Sequence, residues 1–273
     1  MLIFYFLIFI FGLTIGSFLN CVIYRLEKGE SFLKGRSYCP NCKHQLSWKD
    51  LIPIFSFFEL QSKCRYCKQK ISWQYPIVET TTGLLFLLIF NSQFLISKQA
   101  PIFSFYFLFS IFYFLVSASF LIIIFVYDFK HYIIPDEVIY PAIIISFLYQ
   151  VFGNWKLETG NFGPMLNPLF SALGASLFFL AIFLISRGKW LGFGDVKLAL
   201  FMGLFLGFPN ILVALFLAFF IGAIIGLGLI FAKRKSLKSE VPFGPFLVLG
   251  TFLALFWGNQ IINWYLSLFH INY

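Results

Sequence analysis

Two aspartates and four paired cysteines are the residues of this 273-residue sequence whose types and spacing could do chemistry. Asp128 stands in FVYDFKHYIIPD and Asp195 in LGFGDVKL, each at the edge of an uncharged apolar run. Ionisable side chains at membrane depth are expensive to place, which makes both functional candidates. Two carboxylates within hydrogen-bonding distance cannot both ionise comfortably, so the pair holds one proton between them. One then acts as general base on a water while the other, protonated, polarises a peptide carbonyl. Gly192 and Gly194 before Asp195 suit a tight turn that lets a substrate backbone approach closely, and a carboxylate at a helix N-terminus is favoured in its charged form. On residue chemistry alone a structural role stays open, with Asp195 as an N-cap and Asp128 as an interfacial residue paired with Lys130 or Lys197.

The cysteines form two C-x2-C knuckles, Cys39/Cys42 and Cys64/Cys67, in the polar stretch 25–75. Four thiolates on two tight turns make a closed tetrahedral site, the usual arrangement for structural zinc, and zinc–sulfur bonding folds a loop too small for a core of its own. Disulfides or a redox pair would need an oxidising compartment. A membrane thiol–disulfide oxidoreductase is therefore the competing function, and it requires this loop to face outward. Cys21 lies inside the first apolar run and reads as a small buried residue, and His44 as a solvated loop residue.

The elements that must position these residues are membrane helices. With 60% hydrophobic and only 11% charged residues, against about 25% charged in a soluble domain, the chain is not an ordinary water-soluble protein, and 41 Phe exclude a disordered one. Apolar runs at 2–24, 76–97, 103–127, 135–152, 166–186, 196–208, 210–231 and 244–269 predict about eight transmembrane helices, the first retained rather than cleaved as a signal peptide. Gly207, Pro209 and Asn210 predict a break that makes 196–231 a hairpin. The stretches 25–75, 128–134, 187–197 and 232–241 hold 18 of the 20 Lys and Arg, leaving Lys98 and Lys156 on the other side. Basic residues mark cytoplasmic loops, so the cysteine loop and both aspartates are expected on the cytoplasmic face. The net charge of +9 thus reports orientation, with Lys233–Lys238 touching anionic lipid, rather than a nucleic-acid partner. Asp136 and Glu137 follow Pro135 as ordinary helix-start residues. An ion-coupled transporter would place its acids near mid-membrane in inverted repeats, whereas these sit at one rim. The expected fold is an all-α polytopic membrane protein with a cytoplasmic zinc-binding loop domain.

Six blocks follow one another along the chain: GSFLNCVIYRL (Gly16–Leu26), the CxxC pairs, SWQYPIVE (Ser72–Glu79), YDFKHYIIPD (Tyr127–Asp136), GFGDVKL (Gly192–Leu198) and VPFGPFL (Val241–Leu247). Together they resemble the type IV prepilin peptidases, membrane aspartyl proteases of the GxGD type. The resemblance implies a bifunctional enzyme of the bacterial cytoplasmic membrane. Such an enzyme cleaves the short basic leader of prepilins or pseudopilins after a glycine, then N-methylates the new N-terminal residue with S-adenosylmethionine. It matches Asp128 and Asp195 to the catalytic pair and brings Pro242 and Gly244 near the active site for a substrate-backbone contact. It divides the chain into a methyltransferase part, 1–97, and a six-helix peptidase core, 98–273. Glu79, Asn20 and Gly16 are its candidates for methyl transfer, beside the plainer readings of an interfacial pair between Glu79 and Arg25 and of small-residue helix packing. The SWQYP block carries Gln74 where the family more usually has a basic residue.

Overall fold

In lipid every backbone N–H and C=O must be satisfied within its own segment, so long apolar runs fold as helices. The computed structural model describes residues 2–31, 35–96, 105–153, 163–232 and 241–268. Lys98, Lys156, the Lys233–Lys238 run and His270 lie outside the described residues. The helices are α1 (Leu2–Lys28), α2 (Phe55–Glu59), α3 (Gln74–Ile96), α4 (Phe105–His131), α5 (Asp136–Gly153), α6 (Gly163–Ser186), α7 (Phe193–Leu206), α8 (Asn210–Phe231) and α9 (Gly244–Ser267). All eight apolar runs are thus helical, and α2 is an addition inside the cysteine loop. Six of them, α1, α3, α4, α6, α8 and α9, are long and apolar enough to cross a bilayer. The other two have 18 and 14 residues, so α5 and α7 reach about 27 and 21 Å, short of a hydrocarbon core of about 30 Å.

Two compact units meet inside α4, residues 1–123 and 124–273. In the first, α1 packs along α3 through glycine contacts. A Cβ on Gly12 would lie 2.7 Å from the Gly83 Cα, and one on Gly16 would lie 2.7 Å from the Glu79 Cα. Small residues let the two backbones approach, the usual solution where lipid offers no hydrophobic drive.

In the second unit α7 is the central helix, packed against α5, α6, α8 and α9. Val196, Leu198, Ala199, Phe201, Met202, Leu204 and Phe205 are all buried, as expected for a helix apolar on every side. Gly203 lets α7 rest on the α6 backbone at Ala172, and a Cβ there would collide with main-chain atoms that cannot yield. Gly203→Val is expected to cost about 3 kcal/mol or more through overpacking, read as lost heat resistance in detergent. Gly174→Ala on the same helix pair meets open space and serves as the neutral control.

The break expected after α7 is present. Gly207 closes the helix at φ 67°, a conformation glycine adopts without strain. Asn167 of α6 then brackets Phe208, accepting its N–H at 2.6 Å and donating to its carbonyl at 3.0 Å, before α8 begins.

Candidate active site and metal centre

Asp128 occupies the last turn of α4 and Asp195 the first turn of α7, both in the second unit and both buried. The carboxylates lie close enough for the charge on Asp128 to act on Asp195. Asp195 accepts the backbone N–H of Gly192, the N-cap of α7, at 3.2 Å, which orients it at the positive end of the helix. Among the described residues Asp128 Oδ2 is buried without a hydrogen bond of good geometry, the backbone amide of Gly244 being the donor set beside this carboxylate. A buried acceptor left unpaired is costly, and such atoms concentrate at reactive sites. Lys197 is not the partner of Asp128: its ammonium pairs with Asp136 at 2.6 Å and lies over the Tyr140 and Phe193 rings.

The third wall of this site is the segment Val241–Gly244. Phe243 packs on Phe219 (5.0 Å between ring centroids) and Phe179 (6.2 Å), and this aromatic clamp sets Gly244 against Asp128. A Cβ on Gly244 would stand 2.5 Å from Asp128 Oδ2. Pro242 is half-buried at the start of the segment. Gly244→Ala must therefore turn the carboxylate or shift the start of α9. Misplacement of about 1 Å costs on the order of 10²-fold in rate, so that loss is expected in hydrolytic activity, with the protein's membrane insertion unchanged. The glycines before Asp195 stand where the chain enters α7. Gly192 has an ordinary extended backbone (φ −76°), and the missing side chain of Gly194 makes room for Ile134, 3.1 Å from where a Cβ would be. Gly194 thus allows close packing beside Asp195, whereas a side chain at Gly192 would make only ordinary contacts.

In the first unit, Cys39, Cys42, Cys64 and Cys67 gather into one cluster with all four sulfurs within 4.8 Å of one another. The two knuckles are near-copies. In each, the first cysteine's N–H donates to a carbonyl five residues on, and the lysine after the second cysteine sits at positive φ, Lys43 at 58° and Lys68 at 61°. Sulfurs bound at about 2.3 Å to one tetrahedral ion stand about 3.8 Å apart. Cys39 and Cys67, from different knuckles, are 3.8 Å apart. The donor set fits zinc and does not resemble two separate redox pairs. Burial raises the Cys39 thiol, but the Cys42 and Asn41 amides outweigh it and bring it down to about 7. Asp50 ties the knuckles to the rest of the loop, accepting from Arg65 at 2.8 Å and from the Ser47 hydroxyl at 2.8 Å. Burial pushes its carboxyl up, but Arg65 and Ser47 hold it below the usual carboxylate range. His44 is exposed and stacks on Tyr66 at 3.7 Å, and Cys21 is half-buried.

The candidates on α1 and α3 also meet. Glu79 is buried and accepts the Ile54 N–H at 2.7 Å, with Ser17 as a further donor. Asn20 donates to the Tyr75 carbonyl at 3.1 Å and accepts from Gln74 at 3.2 Å. Arg25 is buried and donates to the carbonyls of Ser31 and Arg36.

The type IV leader peptidase family matches residues 115–227, and the bacterial peptidase A24 N-terminal domain matches residues 10–94. A Bacillus subtilis (strain 168) protein named prepilin leader peptidase/N-methyltransferase is 30% identical over 265 residues, covering 96% of this chain and 98% of that one. This chain belongs to the type IV leader peptidase family. Proteins of the same name from Legionella pneumophila (29% identical; 96% and 94% covered) and Aeromonas salmonicida (28%; 96% and 93%) are similar along almost their whole length. No solved structure matches. Within the leader peptidase match lie Asp128 and Asp195, while Gly244 follows its end. The N-terminal match takes in Gly16, Asn20, the four cysteines and Glu79. Sequence reasoning did not single out Phe243, Ile134 or Ile54, since an apolar residue in an apolar chain carries no signal of the contact it makes.

Proposed function

We propose that this chain is a bifunctional enzyme of the bacterial cytoplasmic membrane that removes the basic leader of a type IV prepilin or pseudopilin and N-methylates the exposed residue. The observation that carries the reading is that two buried aspartates 67 positions apart in sequence, Asp128 and Asp195, are brought within electrostatic reach of one another by α4 and α7, with Gly244 against the Asp128 carboxylate. The names of its relatives support the substrate class.

In the proposed reaction one carboxylate takes a proton from water as the oxygen attacks the peptide carbonyl, and the other, protonated, donates to the carbonyl oxygen. The tetrahedral intermediate collapses as a carboxyl proton passes to the leaving amine, freeing the leader and the new N-terminus. Gly244, without a side chain, leaves the substrate backbone room beside Asp128. A prepilin keeps its basic leader in the cytoplasm and its apolar helix in the bilayer, so its scissile bond would meet two aspartates at a cytoplasmic rim. The distribution of Lys and Arg supports that orientation.

The methyltransferase is assigned to residues 1–97 and the peptidase to 98–273. S-adenosylmethionine would supply the methyl group. Gly16, Asn20 and Glu79 are engaged with one another's helices and with the cysteine loop, so no step of transfer is derived from their atoms. Cys39, Cys42, Cys64 and Cys67 would hold zinc, whose role here is to fold the loop.

The test is cleavage of a prepilin with a basic leader and a Gly-Phe junction by membranes containing this protein, with the product N-terminus read by mass. Cleavage after glycine with an added methyl mass is expected. Intact substrate would defeat the peptidase assignment, and a cleaved but unmethylated product would defeat the second activity alone.

A further inference from the structure

The cysteine loop carries an apolar surface that neither the metal nor the aspartates explain. Trp48, Phe55, Phe58 and Trp73 are 71%, 62%, 61% and 59% exposed, with Leu51 and Ile52 also exposed beside them in sequence. Two of these rings pack together: Phe58 and Trp73 are 6.4 Å apart, and both lie edge-on to the buried Phe57, at 5.7 and 4.9 Å, while Trp48 and Phe55 stand in the same segment. Exposed aromatics clustered in this way mark an interaction surface.

The depth of this surface is fixed by two contacts with a membrane helix. Trp73 immediately precedes α3, which is long and apolar enough to cross the bilayer. Ile54, the N-cap of α2, donates its N–H to Glu79, five residues into α3. Five residues rise about 7.5 Å along a helix, and helical side chains lean back toward the N-terminus. The α3 helix of 23 residues is about 34 Å long, so its first turn overhangs a core of about 30 Å by only a few ångströms. Ile54 and α2 are thereby held at the boundary between headgroups and acyl chains. The backbone is strained at this contact: Ile54 is β-branched yet sits at φ 61°, a conformation that persists only where its surroundings over-determine it.

The charges agree. Asp50 and Glu59, the acids of this segment, both face Arg65, at 2.8 and 3.9 Å, while Lys49 lies over the Trp48 ring. A surface of Trp and Phe with a lysine and neutralised acids suits the interface of an anionic bilayer.

We infer that residues Trp48–Phe58, with Trp73, form an interfacial anchor that inserts α2 into the headgroup layer of the same membrane, latched to α3 by the Glu79–Ile54 hydrogen bond. The cysteine module is then a membrane-seated platform rather than a loop hanging in water.

The experiment places a photoreactive phenylalanine analogue singly at Trp48, Phe55 or Phe58 in the full chain, reconstituted in phosphatidylethanolamine–phosphatidylglycerol vesicles. Phe112, an exposed residue of the spanning helix α4, is the lipid-facing standard, and Tyr66 the standard outside the anchor. Retained zinc reports that each variant is folded. Lipid adducts at positions 55 and 58 are expected at a yield near that of 112 and about tenfold above that of 66, since burying one phenyl ring is worth roughly that factor or more. Adducts to polypeptide, or a yield no higher than at 66 at both positions, would overturn the proposal. Glu79→Ala should lower the yield at 55 while leaving 112 unchanged, and an unaltered yield would remove the latch from it.

Discussion

Asp128→Asn and Asp195→Asn are each expected to lower leader cleavage by about 10³-fold or more, with the protein still inserted and abundant. Asparagine keeps the shape of the side chain and its ability to accept the Gly192 amide, but it can neither take a proton from water nor return one to the leaving amine. General acid–base catalysis of this kind is worth about 10²–10⁴-fold, and the two groups act as a unit, so the double variant should be no slower than the worse single one. Stability should move the other way. A charged or half-protonated pair in an apolar site is costly to bury, so an amide at either position should leave heat resistance unchanged or raise it. Activity and stability thus separate the catalytic reading from the structural one. If the aspartates only cap α7 or pair with a cation, the Asn variants keep cutting and gain no heat resistance, since asparagine caps a helix about as well as aspartate. Cleavage of a basic-leader prepilin, beside a melting curve in detergent, distinguishes these. A variant retaining more than about a tenth of wild-type cleavage would be too active for a dyad member.

The sequence makes some parts of this arrangement legible and hides others, and the division has physical causes. Helices are legible because a lipid-crossing segment must be apolar over its whole length, and all eight apolar runs form helices. The short α7 begins earlier than its apolar run, at Phe193, because Asp195 belongs to the first turn through its bond to Gly192. A charged residue at N3 is helix-compatible but invisible to a hydropathy boundary. The cysteine spacing correctly gathers four sulfurs, since C-x2-C turns leave little conformational choice. A glycine does not say which need it meets: Gly194 serves where only volume matters, against Ile134, while Gly192 has an extended backbone as the N-cap of α7. The Ile54–Glu79 contact is the least legible. Propensity argues against positive φ at isoleucine, and a glutamate near a helix start gives no hint that its partner is a backbone amide 25 residues upstream.

Removing the zinc proposed for the four cysteines should have the second large effect, confined to the first unit. Among the described residues between Lys28 and Gln74 few large side chains are buried, Phe57 chief among them, with Cys39 and Cys64 as the other buried residues. A segment of this size has too little core to stay folded by burial. Its polar contacts are the alternative source of order, chiefly the partly exposed Asp50–Arg65 pair, which solvent screens, and the buried Glu79–Ile54 hydrogen bond, worth on the order of 1–3 kcal/mol. Zinc binding to such a site contributes about 10–16 kcal/mol, which is also folding free energy because the unfolded chain has no site. The metal term exceeds the others combined. Cys39→Ser, Cys42→Ser, Cys64→Ser and Cys67→Ser should each release zinc and make residues 35–72 a protease target, while Cys21→Ser retains both metal and resistance. The helices of the second unit, with no residue in the metal site, should keep their protection in the same digest. Persistence of an uncut loop in a zinc-free variant would mean that the latch to α3 and the buried aromatic group hold the loop without the metal. The interfacial anchor, rather than zinc, would then be the principal organiser of the loop.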